Sequence, residues 1–371
     1  MIIPGLVKEL DTTEFCKLLK ISKDYFDNKI ERTRRYSTRI PSVFLAHLSK
    51  EDYGFLAEKI RKYDGFYIQK RNLRQYNTTI GANVLGYVAE VNRSNLEKDN
   101  YYSQGDIIGK QGVELSYEKY LRGEKGIKFI QKDRFNRDIG SFNDGLNDIN
   151  SIPGNDLTIT IDSELQEYGE LLMSNKKGAI VAIEPSSGEL LTLVSAPSYN
   201  PNLLVGRERS KNYFELYQDS IYKPLLDKGL LSTFPAGSPF KVIVGLIALE
   251  EKVITEKSTI FCKGQYIYGR NKKSMKCHCG GGYRNIYNAI SESCNSYFAD
   301  IYRKTISKNN EISDNFNSWS ESVKSFGLGN YLNNDLPIGK KGMIPTSEFY
   351  DRWYPDLSLI HISEPTRPSS I

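Results

Sequence analysis

A serine and a lysine three residues apart, Ser238 and Lys241, are the residues of this sequence best suited to covalent chemistry. Ser238 follows a Pro/Gly turn, and the apolar run 242–249 after Lys241 predicts a buried helix. Because residues three apart share one face of a helix, we expect the lysine amine to lie beside the serine hydroxyl. A serine hydroxyl becomes nucleophilic when a base takes its proton, and a lysine whose pKa is lowered by burial can be that base. The pattern therefore predicts Ser238 as a nucleophile and Lys241 as its base.

Histidine is scarce in this chain, which contains only His47, His278 and His361. A Ser-His-Asp triad would need one of them as its base. His47 lies in a polar segment with a helical pattern, which is typical of a surface histidine. This scarcity favours lysine as the base for Ser238.

Ser293 and Asn295 supply a second group of polar side chains, in a Ser-Cys-Asn triplet between two helical patterns. By itself such a triplet is typical of a helix N-cap or an exposed turn. Downstream of a Ser-x-x-Lys motif, its hydroxyl can relay a proton and its amide can hold a substrate carbonyl or the lysine. We therefore predict that the triplet completes the site around Ser238.

Composition places the chain among globular proteins. Its 371 residues are enough for two or three domains, and 39% hydrophobic with 26% charged residues allow a buried core. The net charge of +5 is small, and no basic block is interleaved with aromatic residues, which argues against a nucleic-acid partner. No apolar run approaches the length of a membrane span, and the residues after Met1 lack the pattern of a signal peptide.

Hydrophobic periodicity and turn residues predict a mixture of helices and strands, with a domain boundary in the polar stretch 147–155. The segment 109–123 has a glycine-rich start and predicts a helix that ends at Gly123, since glycine commonly follows a helix C-terminus. It is not a phosphate-binding loop, because it lacks the preceding buried strand and the Gly-Lys-Ser/Thr ending. The other predicted elements are a helix that begins near Asp11, an amphipathic helix over 50–63, a strand over 157–161, a helix from Asp162 to about Met173, and a hairpin of two well-buried strands, 178–183 and 190–194.

The order of these motifs resembles one known family, the class B penicillin-binding proteins, and especially their elongation-type D,D-transpeptidases. The resemblance covers about residues 75–356 and includes both polar motifs in order. Its other parts are 81–92, the segment 109–123, which looks like the family's pedestal motif, and 156–166, 195–201, 327–329 and 342–345.

The resemblance implies an α+β fold in two parts. Residues 1–150 would form an N-terminal pedestal, or dimerisation, module, and 156–356 a transpeptidase domain with an antiparallel sheet flanked by helices. The family's third motif, Lys-Thr/Ser-Gly on an inner strand, is absent from the sequence. That strand supplies one N–H of the oxyanion hole in the family. We therefore expect an incomplete domain whose C-terminal strands are missing, an unpaired sheet edge and little or no turnover.

Both ends of the chain depart from the family. Residues 357–371 resemble the translation of a transposon-type sequencing adapter, and we interpret them as an artefactual tail. The family's cytoplasmic stub, membrane helix and first strands would precede Met1. The interpretation is a fragment, truncated at both ends, of a protein anchored in the inner membrane with its catalytic domain in the periplasm.

The resemblance also implies a reaction. Ser238 would attack the penultimate D-alanine of a peptidoglycan stem peptide, Lys241 would accept the proton, and Ser293 and Asn295 would complete proton relay and substrate binding. Transfer of the acyl group to an amine of a neighbouring stem would form a cell-wall cross-link during cell elongation, and β-lactams would acylate the same serine. The implied partners are glycan strands made from the lipid-linked precursor, a shape-determining glycosyltransferase and other elongation-complex proteins. No cofactor is required.

Two other functions stay open. A serine β-lactamase or a β-lactam sensor shares the Ser-x-x-Lys motif, although the large N-terminal module with segment 109–123 argues against a compact lactamase. The third hypothesis is a catalytically incomplete scaffold whose pedestal module binds other proteins. Binding that survives the change Ser238→Ala would distinguish it.

Four of the five cysteines cluster between and within the two motifs, namely Cys262, Cys277, Cys279 and Cys294. The two cysteines of the Cys-His-Cys segment lie on one side of an extended chain, and with the other two they can form a tetrahedral zinc site. Disulfides, favoured by an oxidising periplasm, and unpaired thiols are the alternatives. Because the fourth cysteine lies inside the Ser-Cys-Asn triplet, a metal or a disulfide would hold that triplet near the nucleophile.

Overall fold

The computed structural model describes residues 1–353 apart from 47, 49, 70–72, 104, 135–137, 207, 270, 271, 310, 333 and 337. His47, His361 and the interpreted tail 357–371 lie outside the described residues. The predicted domain limits, 1–150 and 156–356, stay a prediction. By compactness the chain separates into two units, Met1–Leu231 with Asp335–Pro337, and Ser232–Asn334 with Ile338–Ile371.

The first unit is built from short helices and two-stranded antiparallel sheets. Its helices are α1 Thr12–Leu19, α2 Lys23–Tyr36, α3 Lys50–Lys59, α4 Ala82–Leu85, α5 Arg93–Lys98, α6 Gly112–Ser116, α7 Glu118–Leu121, α8 Ser163–Leu172, α9 Arg209–Gln218 and α10 Lys228–Leu231. Its strands are β1 Val88–Glu90, β2 Ile107–Gly109, β3 Ile130–Lys132, β4 Asp138–Ser141, β5 Gly178–Ile183 and β6 Leu190–Ala196. β1 pairs with β2, β3 with β4, and β5 with β6.

Helix starts at aspartate are confirmed. Asp11 accepts hydrogen bonds from two backbone N–H groups of the first turn of α1 (2.9 and 3.0 Å), and Asp162 accepts one from α8 (2.9 Å). These carboxylates satisfy N–H groups that lack a partner within the helix. The single helix predicted over 109–123 is wrong, because the helix breaks at Tyr117 into α6 and α7. Gly123 does follow the end of α7, with φ +66°.

The predicted hairpin is confirmed as the antiparallel pair β5 and β6, but only β6 is well buried. Leu193 and Val194 of β6 are buried, whereas Val181 and Ile183 of β5 are exposed. Within the described ranges β5 pairs with β6 alone. The burial predicted for both strands is therefore wrong for β5, because a strand is buried only where something packs on its faces.

The strand predicted over 157–161 is wrong as well. The segment is extended and lies along β6, where Thr160 Oγ1 donates to Leu190 O (2.8 Å) and the Asp162 N–H donates to Leu191 O (2.9 Å). A β-ladder needs repeated backbone bonds on both chains, and these two contacts do not form one.

The core nearest the N-terminus is aromatic. Phe15 lies at its centre, with the ring centroids of Phe26, Phe44 and Phe66 at 5.7, 6.0 and 4.4 Å. Edge-on and tilted contacts of this kind add about 0.5–1.5 kcal/mol per pair to the burial of each ring. They fix α1 and α2 on the chain that follows them.

The second unit contains five helices and four strands among its described residues. The helices are α11 Phe240–Glu250, α12 Ile286–Ser291, α13 Asn295–Ile306, α14 Ile312–Ser325 and α15 Ser347–Trp353. The strands are β7 Ile260–Cys262, β8 Gln265–Tyr268, β9 Lys273–Lys276 and β10 Gly282–Arg284, with β7 paired to β10 and β8 to β9, both antiparallel.

The core of this unit lies between α11, α13 and α14. Ile247 of α11, Ile301 of α13 and Val323 of α14 are completely buried there. The helix predicted over 242–249 is confirmed in α11, although Val242 on its other face is exposed. This packing holds the first turns of α11 and α13 in place, and both turns carry predicted site residues.

The helices are short in both units. The longest that the structure describes, α2 and α14, have 14 residues each. A helix needs about 20 mostly apolar residues to cross a bilayer. Within the described part of the chain, no helix is both long and apolar enough to do so.

Candidate active site

Ser238 lies in the turn that leads into α11, two residues before the helix begins at Phe240. It is exposed, and its backbone C=O accepts a hydrogen bond from the Lys241 N–H (3.0 Å). Lys241 is the second residue of α11. The serine therefore lies just outside the helix on which both residues were predicted, and the backbone bond keeps it one turn away from the lysine.

Lys241 is buried, with 7% of its surface exposed. Its Nζ donates to Ser293 O (2.8 Å), to Ser293 Oγ (2.9 Å) and to Asn295 Oδ1 (2.5 Å). The centre of the Phe298 ring lies 6.0 Å from the same nitrogen. Its three hydrogen-bond acceptors are uncharged, so no carboxylate among them holds the amine in its protonated form.

Burial lowers the pKa of the Lys241 ammonium below its ordinary value, and the nearby cysteines oppose this shift. Burial acts in this direction because it removes water from the charged form. A larger fraction of the side chain is therefore a neutral amine at a given pH than for an exposed lysine. A neutral amine is what a base for a serine hydroxyl requires.

Ser293 is held by the C-terminal cap of α12. Its N–H donates to Ile290 O (3.0 Å), and the N–H of Cys294 donates to Ala289 O (2.8 Å). This pair of bonds is a Schellman motif, whose left-handed position is usually a glycine. Ser293 occupies it with φ +50°. A side chain in this conformation costs about 1–2 kcal/mol, so the local structure retains strain at this residue.

The Ser293 hydroxyl connects the lysine to the exposed serine. Ser293 Oγ accepts from Lys241 Nζ (2.9 Å) and donates to Ser238 Oγ (3.0 Å). Within the described residues, the hydrogen-bonded path from the amine to Ser238 runs through Ser293. A hydroxyl both donates and accepts, so rotation of the two hydroxyl hydrogens lets a proton move from Ser238 towards Lys241.

Asn295 is the first residue of α13, and its side chain bridges two parts of the site. Oδ1 accepts from Lys241 Nζ, and Nδ2 donates to Lys276 O at the end of β9 (3.1 Å). An amide nitrogen carries two N–H groups, so one is left to hold a substrate carbonyl. The sequence analysis did not predict a role for Lys276, because its backbone carbonyl makes the contact and every residue type has such a carbonyl.

The four clustered cysteines converge beside this site. Every pair of their sulfurs lies within 4.8 Å, and all cysteines of the chain are free thiols in the structure. The sulfur–sulfur distances are 3.1 Å for Cys279–Cys294, 3.3 Å for Cys277–Cys279, 3.4 Å for Cys262–Cys279 and 3.5 Å for Cys277–Cys294. Four thiolates about 2.3 Å from one zinc ion lie about 3.8 Å apart, so the arrangement fits a tetrahedral metal. His278 is exposed and is not part of the cluster.

Backbone N–H groups face these sulfurs. The Gly264 N–H donates to Cys262 Sγ (3.3 Å). Burial raises the pKa of the Cys277 thiol, but the N–H groups of Ser296 and Cys279 and the neighbouring thiols outweigh burial and bring the pKa to about 6. For Cys279 and Cys294, burial raises the pKa. N–H donors around buried sulfur support metal-ligating thiolates in structural sites.

Two domain families match this chain. The penicillin-binding protein dimerisation domain matches residues 1–159, and the penicillin-binding protein transpeptidase domain matches residues 178–359. The lysine, the two serines and the asparagine of the site all lie within the second match. The fold and the site define a protein with a dimerisation and a transpeptidase domain, and the chain belongs to the penicillin-binding proteins.

Within this family the chain is similar to penicillin-binding protein 2. It is 31% identical over 331 residues to the peptidoglycan D,D-transpeptidase MrdA of Acinetobacter baumannii, covering 88% of this chain and 47% of that protein. It is 29% identical to MrdA of Escherichia coli, covering 85% and 49%. The chain thus spans about half the length of these curated relatives.

Solved structures agree with this placement. PBP2 of Helicobacter pylori in complex with MreC has a TM-score of 0.75 and 27% identity, over 95% of this chain and 65% of that chain. PBP2 of Pseudomonas aeruginosa in complex with WCK 5153 has a TM-score of 0.62 and 29% identity, over 80% and 60%. The expected α+β fold of short antiparallel sheets and helices in two domains is confirmed.

Proposed function

We propose that the chain carries the acyl-transfer site of a peptidoglycan D,D-transpeptidase. The observation that supports this most is the path from the buried Lys241 amine through Ser293 Oγ to the exposed Ser238 Oγ. The curated relatives carry this activity in their names. Because the chain spans about half of their length, the activity of the whole protein is part of the proposal.

In the first half-reaction, Ser238 Oγ attacks the carbonyl carbon of the penultimate D-alanine. Its proton passes to Ser293 Oγ, whose own proton passes to the neutral Lys241 amine. The C–N bond to the terminal D-alanine then breaks, and the lysine ammonium returns a proton to the leaving amine. The product is an ester between the stem peptide and Ser238.

In the second half-reaction, an amine of a neighbouring stem peptide attacks this ester. The new C–N bond forms the cross-link, the C–O bond to Ser238 breaks, and a proton returns to the serine oxygen. A β-lactam undergoes the first attack, but its leaving nitrogen stays tethered to the acyl group. The free N–H of Asn295 would hold the substrate carbonyl during both steps.

Partners and location belong to the same proposal. The H. pylori PBP2 was solved in complex with MreC, and we propose an elongation-complex partner of that kind, together with a shape-determining glycosyltransferase. The parent protein would be anchored in the inner membrane, with this site in the periplasm. The expectation that these 371 residues turn over little substrate without a Lys-Thr/Ser-Gly motif stays a prediction.

Covalent labelling tests the proposed nucleophile. Purified protein is incubated with a fluorescent penicillin, and the modified peptide is located by mass spectrometry. We expect the adduct on Ser238, its loss in Ser238→Ala, and full labelling of Ser291→Ala, which removes an exposed hydroxyl two residues before Ser293. Equal labelling of Ser238→Ala would contradict the proposal. Rapid steady-state hydrolysis of a chromogenic cephalosporin would identify a β-lactamase instead.

We also propose that the four clustered cysteines bind one zinc ion. Their sulfur separations, the burial of three of them and the N–H groups around them support this assignment. The metal would fix Cys294, and through it the Schellman turn at Ser293, without taking part in acyl transfer. Its role would be structural, as in sites with four thiolate ligands.

Metal analysis tests the zinc proposal. We expect about one equivalent of zinc per chain in protein purified without chelator, and loss of the metal after treatment with a thiol-blocking reagent. Cys279→Ser should bind far less zinc, whereas Cys16→Ser, which removes a cysteine of the first unit, should bind as much as the unaltered chain. Less than about a tenth of an equivalent would end the proposal.

A further inference from the structure

The cysteine cluster shares backbone with the proposed acyl-transfer site at two points. Cys294 lies between Ser293 and Asn295 in the chain. Cys277 directly follows Lys276, whose carbonyl accepts the hydrogen bond from Asn295 Nδ2 (3.1 Å). The sulfurs of these two cysteines are 3.5 Å apart. Each of these two cysteines is therefore the chain neighbour of a residue whose hydrogen bonds hold the proposed site together.

The four thiols differ in their access to water. Cys277 is partly exposed, whereas Cys262, Cys279 and Cys294 are buried. A small oxidant that arrives from solvent therefore meets Cys277 first. Two buried sulfurs are within reach of it, Cys279 at 3.3 Å and Cys294 at 3.5 Å.

Chain connectivity favours one of these two partners. Cys279 is two residues from Cys277, so a disulfide between them would close a very small ring of backbone. Cys294 comes from a different element, the cap of α13, and places no such restriction on the geometry of the bond. Cys294 is thus the better resolving thiol.

We propose that Cys277 and Cys294 form a redox switch of the acyl-transfer site, in which a peroxide converts the pair to a disulfide and slows the acylation of Ser238. The slower acylation in this proposal rests on the proposed function of Ser238. The oxidation itself depends only on the sulfurs.

The chemistry balances with hydrogen peroxide as the oxidant. The Cys277 thiolate attacks one oxygen, the O–O bond breaks, and a sulfenic acid and hydroxide result. The Cys294 sulfur then attacks the sulfenic sulfur, and the S–OH oxygen leaves as water with the thiol proton. In total, two thiols and one peroxide give one disulfide and two waters. A dithiol reductant reverses the step, and a zinc ion bound to the cluster would lose two of its four ligands.

The disulfide would displace groups that the relay needs. A covalent S–S bond is about 2.0 Å long, so sulfurs now 3.5 Å apart must approach by more than 1 Å. Movement of Cys294 turns the Schellman cap that holds Ser293, and movement of Cys277 shifts Lys276 O away from Asn295. A displacement of about 1 Å in a catalytic array can slow a reaction about a hundredfold.

Peroxide treatment of the purified protein tests the switch, in zinc-loaded and chelator-treated samples. Peptide mapping identifies the disulfide, fluorescent penicillin reports the labelling rate, and amide exchange reports the mobility of residues 293–297. We expect a Cys277–Cys294 disulfide, labelling slower by at least about tenfold, and recovery with dithiothreitol. Cys16→Ser should respond like the unaltered protein, and Cys277→Ser should lose the response.

Three results would overturn the inference: no disulfide, a disulfide between Cys277 and Cys279 only, or a Cys277–Cys294 disulfide with an unchanged labelling rate. Because Cys277→Ser can fail to fold, the mapping and rates in unaltered protein decide the question. If untreated protein is not labelled at all, the proposed function is wrong. The amide exchange of oxidised and reduced protein then shows whether the disulfide alters the structure around Ser293. Faster exchange over 293–297 on oxidation supports the switch, and unchanged exchange overturns it.

Discussion

Two lysines are buried among the described residues, and they differ in what their amines contact. Lys228, at the start of α10, is 3% exposed, and its Nζ donates to Lys223 O (3.1 Å). Lys241 donates to a backbone carbonyl, an amide and the hydroxyl that leads to Ser238. Burial lowers the pKa of both lysines. A lowered pKa therefore does not distinguish the two lysines, whereas the atoms that their amines contact do.

The charges near the two amines also differ. Asp227 precedes Lys228, is completely buried and raises the pKa of that lysine against the effect of burial. The hydrogen-bond acceptors of Lys241 are uncharged oxygens, and the groups that raise its pKa against burial are cysteine sulfurs that do not hydrogen-bond to the amine. A carboxylate holds a neighbouring amine in its charged form, whereas neutral acceptors leave it free to give up its proton and take another.

Removal of each amine tests this difference most strongly. Lys241→Met should slow fluorescent penicillin labelling about a thousandfold, because Ser238 loses its proposed base. Lys228→Met, the matched change at the other buried lysine, should leave the labelling rate within about threefold, since its amine ends on a backbone carbonyl. If both variants fold and both lose the same fraction of the labelling rate, the contacts of the Lys241 amine do not explain its effect on labelling.

The hydroxyl between the proposed base and the proposed nucleophile gives the next largest effect. Ser293→Ala and Ser293→Gly should both label about a hundredfold more slowly, because each breaks the path from Lys241 to Ser238. The glycine variant should be more stable to urea unfolding than the alanine variant by about 1 kcal/mol, because φ +50° strains any residue with a Cβ. Identical stabilities would contradict the left-handed assignment.

A carboxylate placed beside Lys241 should make it resemble Lys228. Labelling of the unaltered protein should rise with pH as the amine becomes neutral, with a midpoint below the ordinary pKa of lysine, because burial lowers that pKa. Asn295→Asp should raise the Lys241 pKa and move the midpoint up by about one unit, which slows labelling about tenfold at neutral pH. Asn288→Asp, a matched change on α12, should leave the midpoint in place.

The smallest effect concerns stability at the other lysine. Burial raises the pKa of Asp227, whose Oδ2 has no hydrogen-bond partner among the described residues. A carboxyl with a raised folded-state pKa stabilises the fold fully below its unfolded pKa, and this contribution is lost as pH rises through the folded pKa. The free energy of unfolding of the unaltered protein should therefore fall as pH rises. Asp227→Asn should make this fall smaller by about 1 kcal/mol, because asparagine does not ionise. Urea unfolding between pH 4 and 7 checks it, and an unchanged slope would contradict it.

The sequence could predict which four side chains lie together in the candidate site, because their types and order follow a recognisable pattern. The structure brings Ser238, Lys241, Ser293 and Asn295 together. The pattern could not predict that Ser293 stands between the other serine and the lysine. That position depends on a left-handed turn and on the packing of α11 against α13, neither of which a motif encodes.

Errors in the predicted fold have a related cause. The alternation of residues 157–161 describes side chains, whereas a strand exists only where a partner offers repeated backbone bonds. The apolar content of β5 likewise does not bury it, since burial depends on what packs against it. Aspartate caps were predictable because capping is local, with donor and acceptor a few residues apart.

The backbone angle at residue 293 restricts inherited variation at this site. Threonine would keep the hydroxyl, but its branched Cβ makes the left-handed region a steric outlier. Serine is thus the aliphatic alcohol that satisfies the turn and the relay together. Under the proposed function, no conservative exchange at this position preserves both the turn and the relay, and resistance mutations that keep the proposed activity would arise at the residues around it.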